Sequence, residues 1–315
     1  YSVASAGTTG CTVNASTGVI TYTTAGTCTV TASGDSTGDY LASTVNAAFV
    51  ISAAPTITIV ASGGGVSGTD YSISNGLITA SANVSINASD LTTALASGNV
   101  QLAGNVVVNT PITWSSNSVL TLGGTSSNTV AINAKITGSG TSAGVVIKPA
   151  SYSLDVKSGA AIVLSGTTPT LSIGGTSYTL VKSIAELANV TASGNFALAA
   201  PLTYSSTLSG SPITASFAGT FDGLGNTVDN MKIVSTAAGT VAFISNLAGG
   251  TVRNLGITNL SISLEPSASG YFASGALAGT TTGGTVDQVW STGFIRAKSG
   301  STFTGLVVGG LVGNS

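Results

Sequence analysis

The stretch Gly-Gly-Thr-Val occurs at residues 249–252 and again at 283–286, so the chain repeats itself after 34 positions. A second echo has the same spacing, because VAFI at 241–244 is followed by GALA at 275–278 and by GGLV at 309–312. Repeats of about 20 to 50 residues are typical of stacked architectures, in which each unit contacts its neighbours. The period therefore predicts a stack of similar units from about residue 241 to residue 315.

Residues 34 positions apart become vertical neighbours if each unit winds one full turn, with adjacent parallel strands about 4.8 Å apart. Phe243, Leu277 and Leu311 hold equivalent positions and are predicted to form a ladder of inward side chains. Arg253 precedes Asp287 by the same interval, and the spacing predicts that they face each other across adjacent strands. Such an exposed pair contributes at most about 1 kcal/mol, so it checks the register and adds little stability.

The spacing fails at one place in the repeat. Ile262 aligns with Arg296, although Ile295 is the residue expected to point inward. Because a shift of one residue reverses the face of a strand, a slip of one residue between these units restores the apolar alignment.

Composition excludes several classes of function. Charged residues make up 6% of the chain, hydrophobic residues 43%, and the net charge is −2. Lys and Arg do not cluster, so we expect no nucleic-acid partner, and no apolar run reaches the roughly 18 residues of a membrane span, so we expect no membrane insertion. Histidine is absent, which removes the commonest general base and metal ligand. We expect no cofactor and no metal.

Residues 1–53 are predicted to form a separate unit. Alternating runs such as VITYT and AAFVIS are separated by glycine turns at short intervals, which is typical of antiparallel strands in a small sandwich. Cys11 and Cys28 are the two cysteines of the chain, and an isolated pair in this context suggests a disulfide and an exported protein. GTCTVTA and the following YLAS resemble the latter half of bacterial immunoglobulin-like modules, so we expect a partial module of that type.

Residues 54–315 have a different sequence pattern. Short β-rich runs such as TITIVA, VVVN and AAIVLSG follow one another without the spacing of hairpins. Two short helices are predicted, at 88–98 and 183–190, each after a polar capping residue. The first places Leu91 and Leu95 on one face, as expected for a small insertion on a β scaffold.

Several motifs in this region carry a family resemblance. YTLVKSIAELANVTASGNFALAAPLTY, FAGTFDGLGNTVDNMKI and the repeats ending SGALAG and VGGLVGNS resemble the GLUG-repeat region of filamentous-hemagglutinin-like bacterial exoproteins and adhesins. DLTTALASGNVQLAGNVVVNTPITWSSNSVLTLGG is similar to the β-helical body of such proteins, so the resemblance covers about residues 75–315. Asn226 stands where the family motif FDGLGH has histidine. The resemblance implies a right-handed parallel β-helix, or β-solenoid, and a location outside the cell or on the bacterial surface.

Two acidic residues are candidates for catalysis, because polysaccharide-cleaving β-helices use carboxylates on one outer face. Asp222 and Asp229 could approach each other across a corner, as glycosidic cleavage requires. Asp222 lies between Phe221 and Gly223, however, where aspartate usually binds nearby backbone amides. We expect turn and solubility roles for these acids, and packing roles for the aromatic side chains, a set comprising Tyr152, Tyr204, Trp114 and Trp290.

The sequence thus predicts an all-β chain, with an incomplete immunoglobulin-like sandwich at 1–53 and a parallel β-helix at 54–315. The predicted function is that of a non-enzymatic secreted surface protein, an adhesin body or a filament-forming solenoid. One alternative is a fibre or sheath subunit that polymerises through open β edges. A further alternative is a polysaccharide-degrading enzyme. The expected partners are other copies of the chain, or a receptor or glycan on a host or neighbouring cell.

Overall fold

The computed structural model describes residues 1–23, 25–38 and 41–315. Thr24, Asp39 and Tyr40 lie outside the described residues, so the YLAS stretch is described from Leu41 onward. The described chain is mostly β and contains parallel sheets, which confirms the all-β prediction at this level. It divides into two compact units, Tyr1–Pro55 and Thr56–Ser315.

The first unit is built from antiparallel strands, as the turn spacing predicts. Three of its strands pair in one antiparallel sheet, and the other two form a short ribbon. Cys11 and Cys28 are joined by a disulfide with an S–S distance of 2.11 Å, and Val30 completes a small core around it. A cross-link of this span stabilises the unit by about 3 kcal/mol in a loop-entropy description. The strands are β1 (Ser2–Ser5), β2 (Thr12–Val13), β3 (Ile20–Thr21), β4 (Gly26–Gly34) and β5 (Ser43–Ile51).

The first part of the second unit contains short strands that pair mostly in parallel. The strands are β6 (Thr56–Val60), β7 (Ser72–Ser74), β8 (Leu77–Thr79), β9 (Val84–Asn87), β10 (Val100–Leu102), β11 (Asn105–Val108), β12 (Ile112–Trp114), β13 (Val119–Leu122), β14 (Val130–Ile132), β15 (Ile136–Gly138), β16 (Gly144–Ile147), β17 (Ser153–Leu154), β18 (Ile162–Leu164), β19 (Thr170–Ile173) and β20 (Thr176–Ser177). Helix α1 (Ala88–Ser97) lies between β9 and β10, and a 3-10 turn (Val156–Ser158) lies between β17 and β18. Parallel pairing joins β8-β10-β13-β16-β19, β9-β6-β11-β14-β17 and β12-β15-β18, while β7 and β20 are antiparallel to their neighbours.

These parallel strands stack apolar side chains into continuous columns. Leu120 lies opposite Val100 on one side and Val145 on the other, and all three are buried. Strand residues alternate between buried and more exposed positions, for example in β13 and β14. Because burying one such side chain stabilises the fold by about 1.5–3 kcal/mol, each added strand extends a strongly favourable core.

Helix α1 occupies the position beside β12 where the three-stranded sheet has no further strand among the described residues. Leu91 and Leu95 are buried, as the sequence predicts for the inner face of this helix. The Leu95 carbonyl accepts hydrogen bonds from the hydroxyls of Ser116 and Ser118, both at 2.6 Å. The helix therefore covers the start of the apolar column and is fixed to the loop after β12.

The second part of the unit contains longer strands and the 34-residue repeat. The elements are β21 (Thr179–Val181), α2 (Ile184–Leu187), β22 (Asn195–Leu198), β23 (Leu202–Thr203), β24 (Thr207–Leu208), β25 (Ile213–Phe217), β26 (Thr220–Asp222), β27 (Thr227–Asp229), β28 (Lys232–Ser235), β29 (Gly239–Val241), β30 (Ile244–Leu247), β31 (Thr251–Leu264), β32 (Gly270–Ser274), β33 (Ala278–Thr281), β34 (Thr285–Ala297), β35 (Phe303–Val308) and β36 (Val312–Asn314). β31 pairs in parallel with β26, β27 and β28 along one edge and with β34 along the other. Parallel pairing also joins β25-β30-β33-β36 and β29-β32-β35.

Register in this part follows the repeat. Val252 lies opposite Val286, and a register shift falls between Ile257 and Leu260. Beyond that shift Ile262 lies opposite Ile295, so the predicted one-residue slip is present.

The three equivalent apolar residues of the repeat lie in one core. Phe243 and Leu277 are fully buried, and Leu311 packs against the same cluster while remaining partly exposed. The backbone amide of Leu277 donates to the Leu311 carbonyl at 2.9 Å. Gly284 precedes β34 with φ +109°, and a Cβ there would lie 2.4 Å from the Gly250 carbonyl oxygen, so this corner requires glycine.

Candidate functional site

Asp222 is the last residue of β26 and is completely buried. The chain turns directly after it, with Leu224 at φ 53° and Gly225 at φ 78°. One carboxylate oxygen, Oδ1, accepts a hydrogen bond from the Leu224 backbone amide at 2.9 Å. This local bond offsets the cost of the left-handed conformation at Leu224, and it is the turn role that the sequence predicts for an aspartate in this setting.

Three side chains from distant parts of the chain also bind this carboxylate. Arg253 donates from Nε to Oδ2 at 2.7 Å, and the Tyr152 hydroxyl donates to Oδ2 at 3.0 Å. Asn254 donates from Nδ2 to Oδ1 at 3.0 Å and to the Tyr152 hydroxyl oxygen at 3.2 Å. The group of Tyr152, Asp222, Arg253 and Asn254 is called the polar junction below. Its hydrogen bonds compensate for the burial of a charged carboxylate.

Electrostatics within the polar junction favour one arrangement of charge. Burial disfavours the charge of the Arg253 guanidinium, but the neighbouring Asp222 carboxylate raises the pKa of Arg253 overall. Burial, followed by the charge of Asp222, raises the pKa of Tyr152 well above 10.0. The guanidinium also lies over the Tyr152 ring, 5.3 Å from its centre, in a cation–π contact. Asp222 and Arg253 therefore form a charged pair beside a neutral tyrosine.

Asn226 ties the two parts of the second unit together beside the polar junction. Its side chain is buried, and Nδ2 donates to the carbonyls of Ile162 at 2.8 Å and Leu198 at 2.7 Å. Backbone bonds run alongside, since the Ile162 amide donates to the Leu224 carbonyl at 2.9 Å. Asn226 thus bridges β18 of the first part and β22 of the second part.

Arg253 contacts a different acid from the one that the repeat suggests. The backbone of Arg253 does lie opposite Asp287, but its ion pair is with Asp222. The reason is that β31 has neighbours on both edges, and the register also places Arg253 opposite Asp222 on β26. Asp287 is exposed, whereas Asp222 is buried and holds the guanidinium at short range.

Asp229, the second candidate acid, has a separate environment. Its Oδ1 accepts hydrogen bonds from the Thr258 hydroxyl and from Nδ2 of Asn259, both at 2.7 Å. These bonds lower the pKa of Asp229, which is only partly buried. The carboxylate of Asp222 is bound by four donors and has no solvent contact, so the two acids differ in accessibility.

The four aromatic residues for which the sequence predicts packing roles differ in exposure. Trp114 and Tyr204 belong to the core, with exposed fractions of 3% and 1%. Tyr152 lies in the polar junction, and Trp290 is partly exposed on β34. The Tyr204 hydroxyl has no hydrogen-bond partner within the described part of the chain.

The sequence did not single out Asn254 or the bridging role of Asn226. Asn226 follows the turn at residues 223–225, whereas Asn254 lies within β31 and has φ 54°, a conformation that asparagine adopts more readily than most residues. The sequence does carry one indication of a special role for Asn254: it is an asparagine in a β-rich run, and the equivalent position 34 residues later is Gln288.

No known protein family, curated protein or solved structure matches this chain. Within the described ranges, no helix has the length and apolar character that crossing a membrane requires. The described residues also bring no three His, Cys, Asp or Glu side chains together in the manner of a metal site.

Proposed function

We propose that this chain is a non-enzymatic structural part of a secreted or surface-exposed bacterial protein. In this proposal residues 54–315 are a right-handed parallel β-helix of the filamentous-hemagglutinin-like, GLUG-repeat type, and residues 1–53 are a partial immunoglobulin-like module. The observation that carries the proposal is the parallel register of the repeat, in which Val252 lies opposite Val286 and Ile262 opposite Ile295. Stacked parallel strands with a continuous apolar interior are what a β-helical body requires.

The physical argument for a structural role rests on how the stack is joined. Backbone hydrogen bonds link each strand to the next, and apolar columns run across them, so neighbouring strands hold each other in place. The bridge made by Asn226 and the polar junction around Asp222 connect the two parts of the second unit. Such a body resists bending and serves to hold a binding surface away from a cell.

Small-angle X-ray scattering of residues 54–315, expressed without the first unit, tests the β-helical body. We expect the scattering of an elongated particle with a narrow cross-section. A scattering curve that fits a compact, near-spherical particle of this mass would contradict the proposal.

Two further measurements test the location and the absence of catalysis. Antibodies raised against the chain should label the surface of intact cells of the native source, with a cytoplasmic protein as the unlabelled control. Incubation with bacterial and plant polysaccharides should release no reducing sugar. Release by the wild type that an Asp229→Asn variant lacks would instead support the enzyme alternative.

Self-association is a second candidate, and the first unit supplies an observation that favours it. Phe49 on β5 lies opposite Cys28 on β4, and Ala47 lies opposite Val30, so these side chains share one face of the sheet. Cys28 and Val30 are buried, but Phe49 is 46% exposed. The side chains on this face are therefore buried along β4 but exposed to solvent along β5. An exposed strand with an apolar face can pair with strands from other chains.

Sedimentation velocity over a range of concentrations tests this second candidate. We expect a concentration-dependent dimer or larger assembly that Phe49→Lys abolishes. Val50→Lys is the matched control, because Val50 belongs to the same strand but points to the opposite face. A monomer at every concentration, or equal effects of the two variants, would contradict association through this face.

A further inference from the structure

A groove of about 630 Å³ lies between the 3-10 turn after β17 and the early part of β34. This volume falls in the range of about 300–1,000 Å³ that is typical of small-molecule sites. The groove is separate from the polar junction and plays no part in the structural role proposed above. Its lining consists of Asp155, Val156 and Lys157 on one wall and Gln288, Val289 and Trp290 on the other.

The wall formed by the 3-10 turn is held by its own hydrogen bonds. Asp155 precedes the turn, and its side chain accepts from the Ser158 backbone amide. The Ser158 hydroxyl donates to the carbonyl of Asn133, the residue after β14, at 3.0 Å, which ties the turn to the end of that strand. The turn is therefore fixed in position, and the exposed Lys157 side chain stands on it.

The opposite wall is fixed by the backbone of β31 and β34. Gln288 adopts φ 50°, so a corner of the chain carries its exposed side chain. Trp290 lies opposite Gly256, and a Cβ built on Gly256 would be 2.6 Å from Cζ2 of the indole. The indole therefore packs against bare backbone on one side while remaining partly exposed to the groove.

The groove lining combines polar and apolar side chains, and its two charged groups have opposite signs. Asp155 contributes one negative charge and Lys157 one positive charge, and the Gln288 amide both donates and accepts hydrogen bonds. Trp290 and Val289 add an apolar surface. A phosphate or nucleotide would meet a carboxylate beside the only cation of this lining, and a purely apolar ligand would leave both charged groups without partners.

We propose that this groove binds a neutral carbohydrate, a hexopyranose unit at the end of or within a short oligosaccharide. The apolar C–H face of a pyranose ring would lie on the Trp290 indole, because indole offers a flat apolar surface with a polar edge. Hydroxyl groups, which both donate and accept, would bind the Asp155 carboxylate, the Lys157 ammonium group and the Gln288 amide. The site would give the structural body a glycan-binding function of its own.

Ligand-observed saturation-transfer NMR on the full chain tests the proposal, with maltotriose, cellotriose and tri-N-acetylchitotriose as probes. We expect saturable binding of at least one probe, with a dissociation constant of about 1 mM or lower. Trp290→Ala should weaken this binding at least tenfold. Gly256→Ala should weaken it as well, because the added methyl group displaces an indole that is still present.

Phe294→Ala is the matched control, since Phe294 is an exposed aromatic residue of the same strand that does not line the groove. This variant should bind the probe as the wild type does, and circular dichroism should show that all variants keep the wild-type fold. The proposal fails if none of the three probes gives saturable binding, or if Trp290→Ala binds as well as the wild type. Binding of a neutral tripeptide probe in place of the sugars would also overturn it, in favour of a peptide site.

Discussion

Replacing Asp222 by Asn is the sharpest perturbation of the polar junction, because it keeps the shape of the side chain. The carboxylate accepts from four donors through two oxygens, with Leu224 and Asn254 on Oδ1 and Tyr152 and Arg253 on Oδ2. Asparagine offers one oxygen and one NH₂ group, so two of these donors lose their acceptor. The Tyr152 hydroxyl can rotate and accept instead, but a guanidinium cannot accept a hydrogen bond.

The expected cost follows from burial. Asp222 has no exposed side-chain surface, whereas Arg253 keeps 18% of its side chain exposed. Removing one partner of a fully buried ion pair typically costs 3–5 kcal/mol, and the residual exposure of Arg253 places this case near the lower end, at about 3 kcal/mol.

Equilibrium urea unfolding followed by circular dichroism measures this loss, with Glu265→Gln as the matched control. Glu265 follows β31, the strand that carries Arg253, and pairs at 3.2 Å with Lys298, which follows β34, but the two side chains are 26% and 61% exposed. We expect this control to lose less than about 1 kcal/mol. Equal losses for Asp222→Asn and Glu265→Gln would refute the view that the buried pair holds this part of the fold together.

Three further predictions concern single side chains. Tyr204→Phe should raise the free energy of unfolding by about 1 kcal/mol, because it removes a buried hydroxyl that has no partner among the described residues; a lowered melting temperature would contradict this. Asn226→Ala should lower it by about 2–4 kcal/mol, since the carbonyls of Ile162 and Leu198 each lose a buried donor; an unchanged urea midpoint would show that the bridge is dispensable. Because burial raises the pKa of Tyr152 above 10.0, the unfolded chain loses this proton first, so stability should fall as pH rises above about 10, and less steeply in Tyr152→Phe.

The register of the C-terminal strands could be predicted because the repeat is written into the sequence. Equal spacing brings like residues together, and the place where Ile262 meets Arg296 in a plain alignment reveals the slip to Ile295. The strands in the first part of the second unit have no repeat of fixed length. In β13, Leu120 follows Val100 by 20 positions and precedes Val145 by 25, so the intervals vary and the sequence alone does not set the pairing.

The polar junction could not be predicted for the same reason. Asp222 precedes Arg253 by 31 positions rather than 34, so the repeat points Arg253 towards Asp287 and overlooks the buried partner on the other edge of β31. Tyr152 is 70 positions from Asp222 and comes from a loop whose place depends on how the two parts of the second unit meet. Contacts of this kind depend on tertiary packing, which local patterns do not encode.

The repeat in which Val252 lies opposite Val286 also has an evolutionary consequence. If one 34-residue copy were duplicated in frame, the new copy would pack on each side against a copy of the same kind. The number of copies could therefore change without a change in the fold. Each such duplication would lengthen the stack of strands by about 4.8 Å and leave the hydrogen bonds of Asn226 unchanged. Related genes of different size would then encode stacks whose length is set by the number of 34-residue copies.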